Sequence, residues 1–187
     1  MVAGSRKYVA AGRFGVAFAL PVLLGLSGCG YALAGRGSNL PSYIRTVGIP
    51  MFVNNTQLFQ VEQVLTERVR QEFISRGRYE VVPTDSGADA VLSGQILSVT
   101  VAPSAFNAQQ QATRYLIALT TKIEFRDIKA NTTIWENQSL VFREEYDVAT
   151  VGSVTDPAAF FGQDQNALER VATNFARSVV SSILEAF

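Results

Sequence analysis

One stretch constrains this chain more than any other, a strict alternation over residues 113–126. Tyr115, Ile117, Leu119, Thr121, Ile123 and Phe125 fall on odd positions, and Arg114, Thr120, Lys122, Glu124 and Arg126 on even ones. Successive side chains of a strand point to opposite faces, so the pattern demands a strand with one dry and one wet side. Strands of this kind belong to antiparallel sheets whose dry face is covered by another layer. Leu116 and Ala118 blur the wet side near its start. Asp127 to Asn131 turns the chain, and Thr132 to Tyr146 reads as a further strand. The faces of that strand are mixed, so its pattern does not say which is buried; its Trp135 has two places open to it, beside the wet basic face of the alternating strand or in the core, and the core is the expected one.

The covering layer is legible in two amphipathic segments. Leu58, Val61, Leu65, Val69 and Phe73 recur at three- and four-residue steps, which predicts a helix over residues 57–75. Asn54, Asn55 and Thr56 supply N-cap oxygens before it, and Gly77 closes it. Near the chain end, Leu168, Val171, Phe175, Val179 and Ile183 form a second stripe. Asp156-Pro157 offers that helix a cap followed by Pro at the first position, and Asp164 offers a second start after Gly162. Strands are expected at 44–52, with Val47, Ile49 and Met51 on one side, at 79–82, and at 88–101 with Gly94 as a bulge. Residues 103–111 read as a polar loop. The order strand, helix, four strands, helix predicts an α+β domain. It is a two-layer sandwich with both helices on one face of a four- or five-stranded mixed, largely antiparallel sheet.

The start of the chain follows different rules. No acidic residue precedes Glu62, while Arg6, Lys7 and Arg13 stand ahead of the 13-residue apolar run Phe14 to Leu26. That run is shorter than the ~20 residues a membrane-spanning helix needs, and it contains Pro21. It suits the hydrophobic region of a secretory signal. Leu26, Ser27, Gly28 and Cys29 follow at once and resemble a bacterial lipoprotein cleavage motif. In such proteins the cysteine sulfur takes a diacylglyceryl group, and the new amino terminus an acyl chain such as palmitate. Several buried chains hold durably where one binds marginally, at ~0.8 kcal/mol per CH2. The expected division is a signal peptide at 1–28, a lipidated tether at 29–43 and the α+β domain at 44–187. Removing 1–28 takes away three basic groups and no acidic one, leaving a net charge of −3. Gly30 stands where an Asp would favour inner-membrane retention, so an outer-membrane destination is expected.

Composition narrows the chemistry. There is no histidine and one cysteine, which removes histidine triads, histidine metal sites and intrachain disulfides. The formal net charge of zero argues against nucleic acid held by bulk electrostatics. No cofactor or metal site is read, and no phosphate-binding, dinucleotide or nucleophile-elbow motif is present. Glu144, Glu145 and Asp147 form an acidic cluster, but Glu144 and Glu145 are adjacent in a strand and point to opposite faces. Catalysis is therefore not expected. Arg114, Lys122 and Arg126 share the wet face of the alternating strand. Lys122 and Arg126 would stand about 14 Å apart at ~3.4 Å per residue. Two readings fit: an extended anionic surface such as the phosphates of a glycolipid, or ordinary strand solubility with Glu124 between the cations.

From Cys29 to Tyr146 the chain resembles the lipopolysaccharide-assembly lipoprotein family, LptE. The likeness lies in Cys29-Gly30-Tyr31-Ala32-Leu33, Leu40-Pro41, Val47-Gly48-Ile49-Pro50-Met51-Phe52 and Asn55-Thr56. It continues in Glu72-Phe73-Ile74-Ser75-Arg76-Gly77-Arg78-Tyr79, Ala88-Asp89-Ala90-Val91-Leu92-Ser93-Gly94 and Thr113-Arg114-Tyr115. The strand–helix start and the step at 88–94 are also similar to the amino-terminal domain of TolB and to the curli secretion lipoprotein CsgG. The resemblance implies a non-enzymatic lipoprotein seated in the LptD β-barrel of the outer membrane. There it would act as a plug and assembly partner and bind lipopolysaccharide on its way to the outer leaflet. Arg114 matches the basic residue that precedes the strand tyrosine in the family. The alternative is an envelope secretion or structural lipoprotein of the same fold.

Overall fold

The computed structural model describes residues 40–76, 78–148 and 154–185. Among these residues six strands and three helices follow in order: β1 (Thr46–Gly48), β2 (Val53–Asn54), α1 (Val61–Ser75), β3 (Glu80–Val82), β4 (Ala90–Phe106), β5 (Ala112–Asp127), β6 (Thr132–Asp147), α2 (Pro157–Gln163) and α3 (Gln165–Glu185). The sheet order is β3-β1-β4-β5-β6, with β2 beside β4 further along the same edge. The β1–β3, β1–β4 and β2–β4 pairs are parallel; β4–β5 and β5–β6 are antiparallel. This is the expected α+β architecture, with short strands set against a three-stranded ribbon of long ones.

The alternation in β5 does what it demands. Tyr115, Ile117, Leu119, Thr121, Ile123 and Phe125 are buried in one core with Leu92, Ile96 and Val101 of β4. Register settles the faces of β6. Trp135, Leu140, Phe142 and Tyr146 sit opposite Phe125, Thr121, Leu119 and Tyr115, so all lie on the core side. Trp135 is only half-buried there, at the margin of the core. Its neighbours could not be read from the β6 pattern because two residues of β6 oppose Lys122 between Asn137 and Leu140, which shifts the period.

The helices cover this face. α1 buries Val61, Leu65, Val69 and Phe73; α3 buries Val171, Phe175, Val179 and Ile183 with their small neighbours. Arg68 pairs with Glu169, and Arg76 Nη2 donates to Ser181 Oγ at 2.7 Å. The two contacts advance together along both helices, so α1 and α3 run parallel. Both sequence-predicted starts near the chain end are used. Asp156 accepts from the Ala159 N–H at 2.8 Å to cap α2, and Asp164 accepts from the Asn166 and Ala167 N–H groups to cap α3. α2 then presents Phe160 to Tyr115 and Tyr146, with ring centroids 4.9 and 6.1 Å away.

Four local expectations are corrected. The first strand ends at Gly48, and Met51 is 51% exposed while Phe52 is buried. Period two fails after Pro50 because the Phe52 N–H donates to Thr66 Oγ1 of α1 at 3.0 Å, turning its ring inward. The helix begins at Val61, after Gln60 with φ 68° and no side-chain cap. Asn54 and Thr56 instead spend their oxygens on the turn: Asn54 Oδ1 accepts from the Thr56 N–H, and Thr56 Oγ1 from the Leu58 N–H. Gly94 is not a bulge; the register shift lies between Ile96 and Ser98. A Cβ at Gly94 would stand 2.8 Å from the Phe52 ring, so the glycine makes room for that ring. Finally, β4 runs on through Phe106, which shortens the polar loop to 107–111. There Asn107 Oδ1 accepts from the Gln109 and Gln111 N–H groups.

The signal peptide, the cleavage motif, Cys29, most of the tether, Gly77 and Gly152 lie outside the described residues. The described end of the tether span is seated on the domain. Leu40 is buried, and the Tyr43 hydroxyl donates to Asp127 Oδ2.

Candidate functional site

The sheet face away from the helices carries the cations singled out in the sequence. β5 projects Arg114, Lys122 and Arg126 from even positions on this outer face, and the structure separates them by chemistry. Arg114 Nε donates to Asp147 Oδ1 at 2.6 Å and Nη1 to Glu145 Oε2 at 3.3 Å. Those two carboxylates raise the pKa of the guanidinium further above its ordinary value, through the Asp147 hydrogen bond first. Arg126 Nε donates to Glu124 Oε1 at 3.1 Å and Nη1 to Asn131 Oδ1 at 3.4 Å. Both arginines are thus neutralised by neighbours on their own face. Lys122 makes no hydrogen bond or ion pair with any described residue. With Ser93, Gly94, Gln95 and Glu124 it lines a shallow depression of about 60 Å³.

Register adds a residue that the sequence did not offer. Arg143 of β6 lies opposite Ala118, on the same outer face. It is exposed and has no partner among the described residues. Its level on the ribbon is four residues from Lys122, so the two free cations stand about 14 Å apart. Ala118 and Thr120 lie between them, with the part-exposed Val141 opposite Thr120. The ordering is therefore neutralised Arg126, free Lys122, free Arg143, neutralised Arg114. No periodicity could have found Arg143, because the bulge in β6 hides its face. The arrangement suits an anion with spaced phosphates over a partly apolar floor more than one small ligand.

The acidic residues divide as strand geometry requires. Glu144 points inward, where its carboxylate accepts from Arg170 Nε at 2.9 Å and Asn174 Nδ2 at 2.8 Å, tying α3 to β6. Glu145 points outward to Arg114. Among the described residues no three acidic side chains gather as a metal-binding group, and no helix is long and apolar enough to cross a membrane.

A second polar cluster sits where the chain enters the domain. Asp89 Oδ2 accepts from the Arg45 and Thr46 N–H groups at 2.9 and 3.0 Å, and Lys129 Nζ meets Asp89 Oδ1 at 2.7 Å. The Lys129 hydrogen bond, then the two backbone donors, hold the Asp89 carboxyl well below the usual carboxylate range. At Asp127, burial pushes the pKa up but is outweighed by the Tyr43 hydroxyl, the Ala130 and Lys129 N–H groups and the Lys129 charge, so the net direction is downward.

The family model LptE, lipopolysaccharide-assembly, matches residues 44–183. No curated protein matches the chain. Among solved structures, a dodecameric PelC variant from Paraburkholderia phytofirmans is 14% identical, covering 79% of this chain and 94% of that one at a TM-score of 0.49. The hypothetical protein CT253 from Chlamydia trachomatis is 11% identical, with coverage of 77% and 99% and a TM-score of 0.49. A putative lipoprotein from Caulobacter crescentus is 15% identical, with coverage of 73% and 88% and a TM-score of 0.44. Nothing about function follows from these three likenesses.

Proposed function

The chain belongs to the LptE lipopolysaccharide-assembly family, and we propose from that premise a non-enzymatic outer-membrane lipoprotein. In this reading residues 1–28 are removed and lipid on Cys29 anchors the tether at 29–43. The α+β domain at 44–187 plugs the LptD β-barrel and helps deliver lipopolysaccharide to the outer leaflet. A barrel lumen is polar, and the outer sheet face is polar enough to meet it. Lys122 carries the ligand half of the proposal: no acid among the described residues holds it, and it lines a depression with Ser93, Gln95 and Glu124. Arg143 extends that site. Arg114 and Arg126 join only if an incoming phosphate displaces Asp147, Glu145 or Glu124.

Three measurements test this. Extraction of the full chain in mild detergent should bring down a large outer-membrane barrel at one copy each; a self-assembled ring without a barrel refutes the plug. Arg114→Glu with Lys122→Glu should weaken lipopolysaccharide binding at least tenfold while the circular dichroism spectrum is retained; unchanged binding removes this face from the site. Cys29→Ser should leave unprocessed precursor, and normal processing refutes the anchor.

A further inference from the structure

β6 is an open edge. Its 16 residues pair with β5 on one side and with nothing described on the other. An exposed edge of that length, about 54 Å at ~3.4 Å per residue, is a template for another strand. Edges are blunted by Pro, by charged side chains, Lys above all, and by bulges. At the opposite side of the sheet the edge strand β3 is three residues long, and the unpaired stretch of β4 beyond Ile96 carries Pro103 and further register shifts. β6 contains neither Pro nor Lys; its guards are two bulges, the inward-pointing Glu144 and the outward charges Glu136, Arg143, Glu145 and Asp147, which a second strand has to match.

Two charges on β6 lack a counter-ion among the described residues. Arg143 has no partner among the described residues. Glu136 is in no salt bridge with a described residue; it accepts only from Gln138 Nε2 at 3.0 Å and lies opposite Glu124, which is already tied to Arg126. Like charges directly opposite destabilise a sheet. Glu136 and Arg143 are seven positions apart, an odd number that would put them on opposite faces of a regular strand. The bulge between Asn137 and Leu140 cancels one step, so both project from the outer face.

We propose that the free chain self-associates through β6, antiparallel, about a two-fold axis between Ser139 and Leu140. In that register Glu136 lies opposite Arg143 of the second copy, and the symmetry repeats the pair. On the inner face Trp135, half-buried in one chain, lies opposite Glu144 of the second copy, whose carboxylate is already held by Arg170 and Asn174, and diagonal to Phe142. The two sheets become one, and both orphan charges are matched. The dimer is independent of the barrel reading and belongs to chains outside a barrel.

Sedimentation of the full chain in mild detergent, over a concentration series, tests it. The wild-type protein should be a dimer. Arg143→Glu and Glu136→Arg should each weaken association about tenfold or more, and Glu136→Arg with Arg143→Glu should restore it. Anchored chains can share a micelle, so the rescue by the double exchange, with dichroism unchanged, decides the matter. A monomer at every concentration, a dimer indifferent to both single reversals, or association only with a different envelope protein overturns the proposal.

Discussion

Gly94→Ala probes the most crowded point of the structure. The new methyl would stand 2.8 Å from three atoms of the Phe52 ring, which is 2% exposed and wedged between β4 and α1. Two effects compete. Replacing glycine lowers the entropy of the unfolded chain and favours the native state by about 0.4–1 kcal/mol. Overpacking a tight core costs about 1–3 kcal/mol. The ring has little room to yield, because Phe52 is buried and its backbone is tied to Thr66 Oγ1, so the steric cost prevails. The expected net loss is about 1–2 kcal/mol, a fall in Tm of roughly 2–8 °C for a chain of this size. Phe52→Leu alone should also destabilise, by leaving a void. Combined with Gly94→Ala it should cost less than the sum, with a coupling of about 1 kcal/mol or more. Urea unfolding of all four proteins at constant m-value measures this. Strict additivity would refute the claim that Gly94 exists to seat Phe52.

Gly48→Ala should be worse than Gly94→Ala, because its Cβ would meet the Thr84 carbonyl oxygen at 2.4 Å and backbone cannot swing aside; a Tm loss smaller than that of Gly94→Ala contradicts this. Glu144→Ala strips Arg170 and Asn174 of their shared acceptor and should cost about 1–3 kcal/mol in urea unfolding, against little change for the exposed Glu136→Ala. For Asp89 the folded pKa is depressed, so its stabilisation is complete above the ordinary aspartate value of ~3.9 and is lost as pH falls from there through the folded value. Tm measured from pH 6 downward should fall more steeply below pH 4 in the wild type than in Asp89→Asn; parallel curves would dismiss the cluster as an acid-sensitive clasp.

The amino-acid order alone determined the dry and wet faces of β5, both helical stripes, the caps at Asp156 and Asp164 and the two-layer class. Each is a local property, since a side chain's face follows from its neighbours' period and a cap from an oxygen two or three residues away. It also put Arg114, Lys122 and Arg126 on a common face. Tertiary structure decided what required a second strand or helix. Phe52 displaced Met51 because Thr66 held its backbone and Gly94 left space for its ring. Asn54 and Thr56 served a turn instead of the helix because nearer donors competed for their oxygens. The free or neutralised state of each cation was set by partners 2 to 33 residues away. Arg143 and Glu136 became visible only once the bulge against Lys122 fixed the register of β6, because pairing between strands is a long-range choice that no single strand's periodicity encodes.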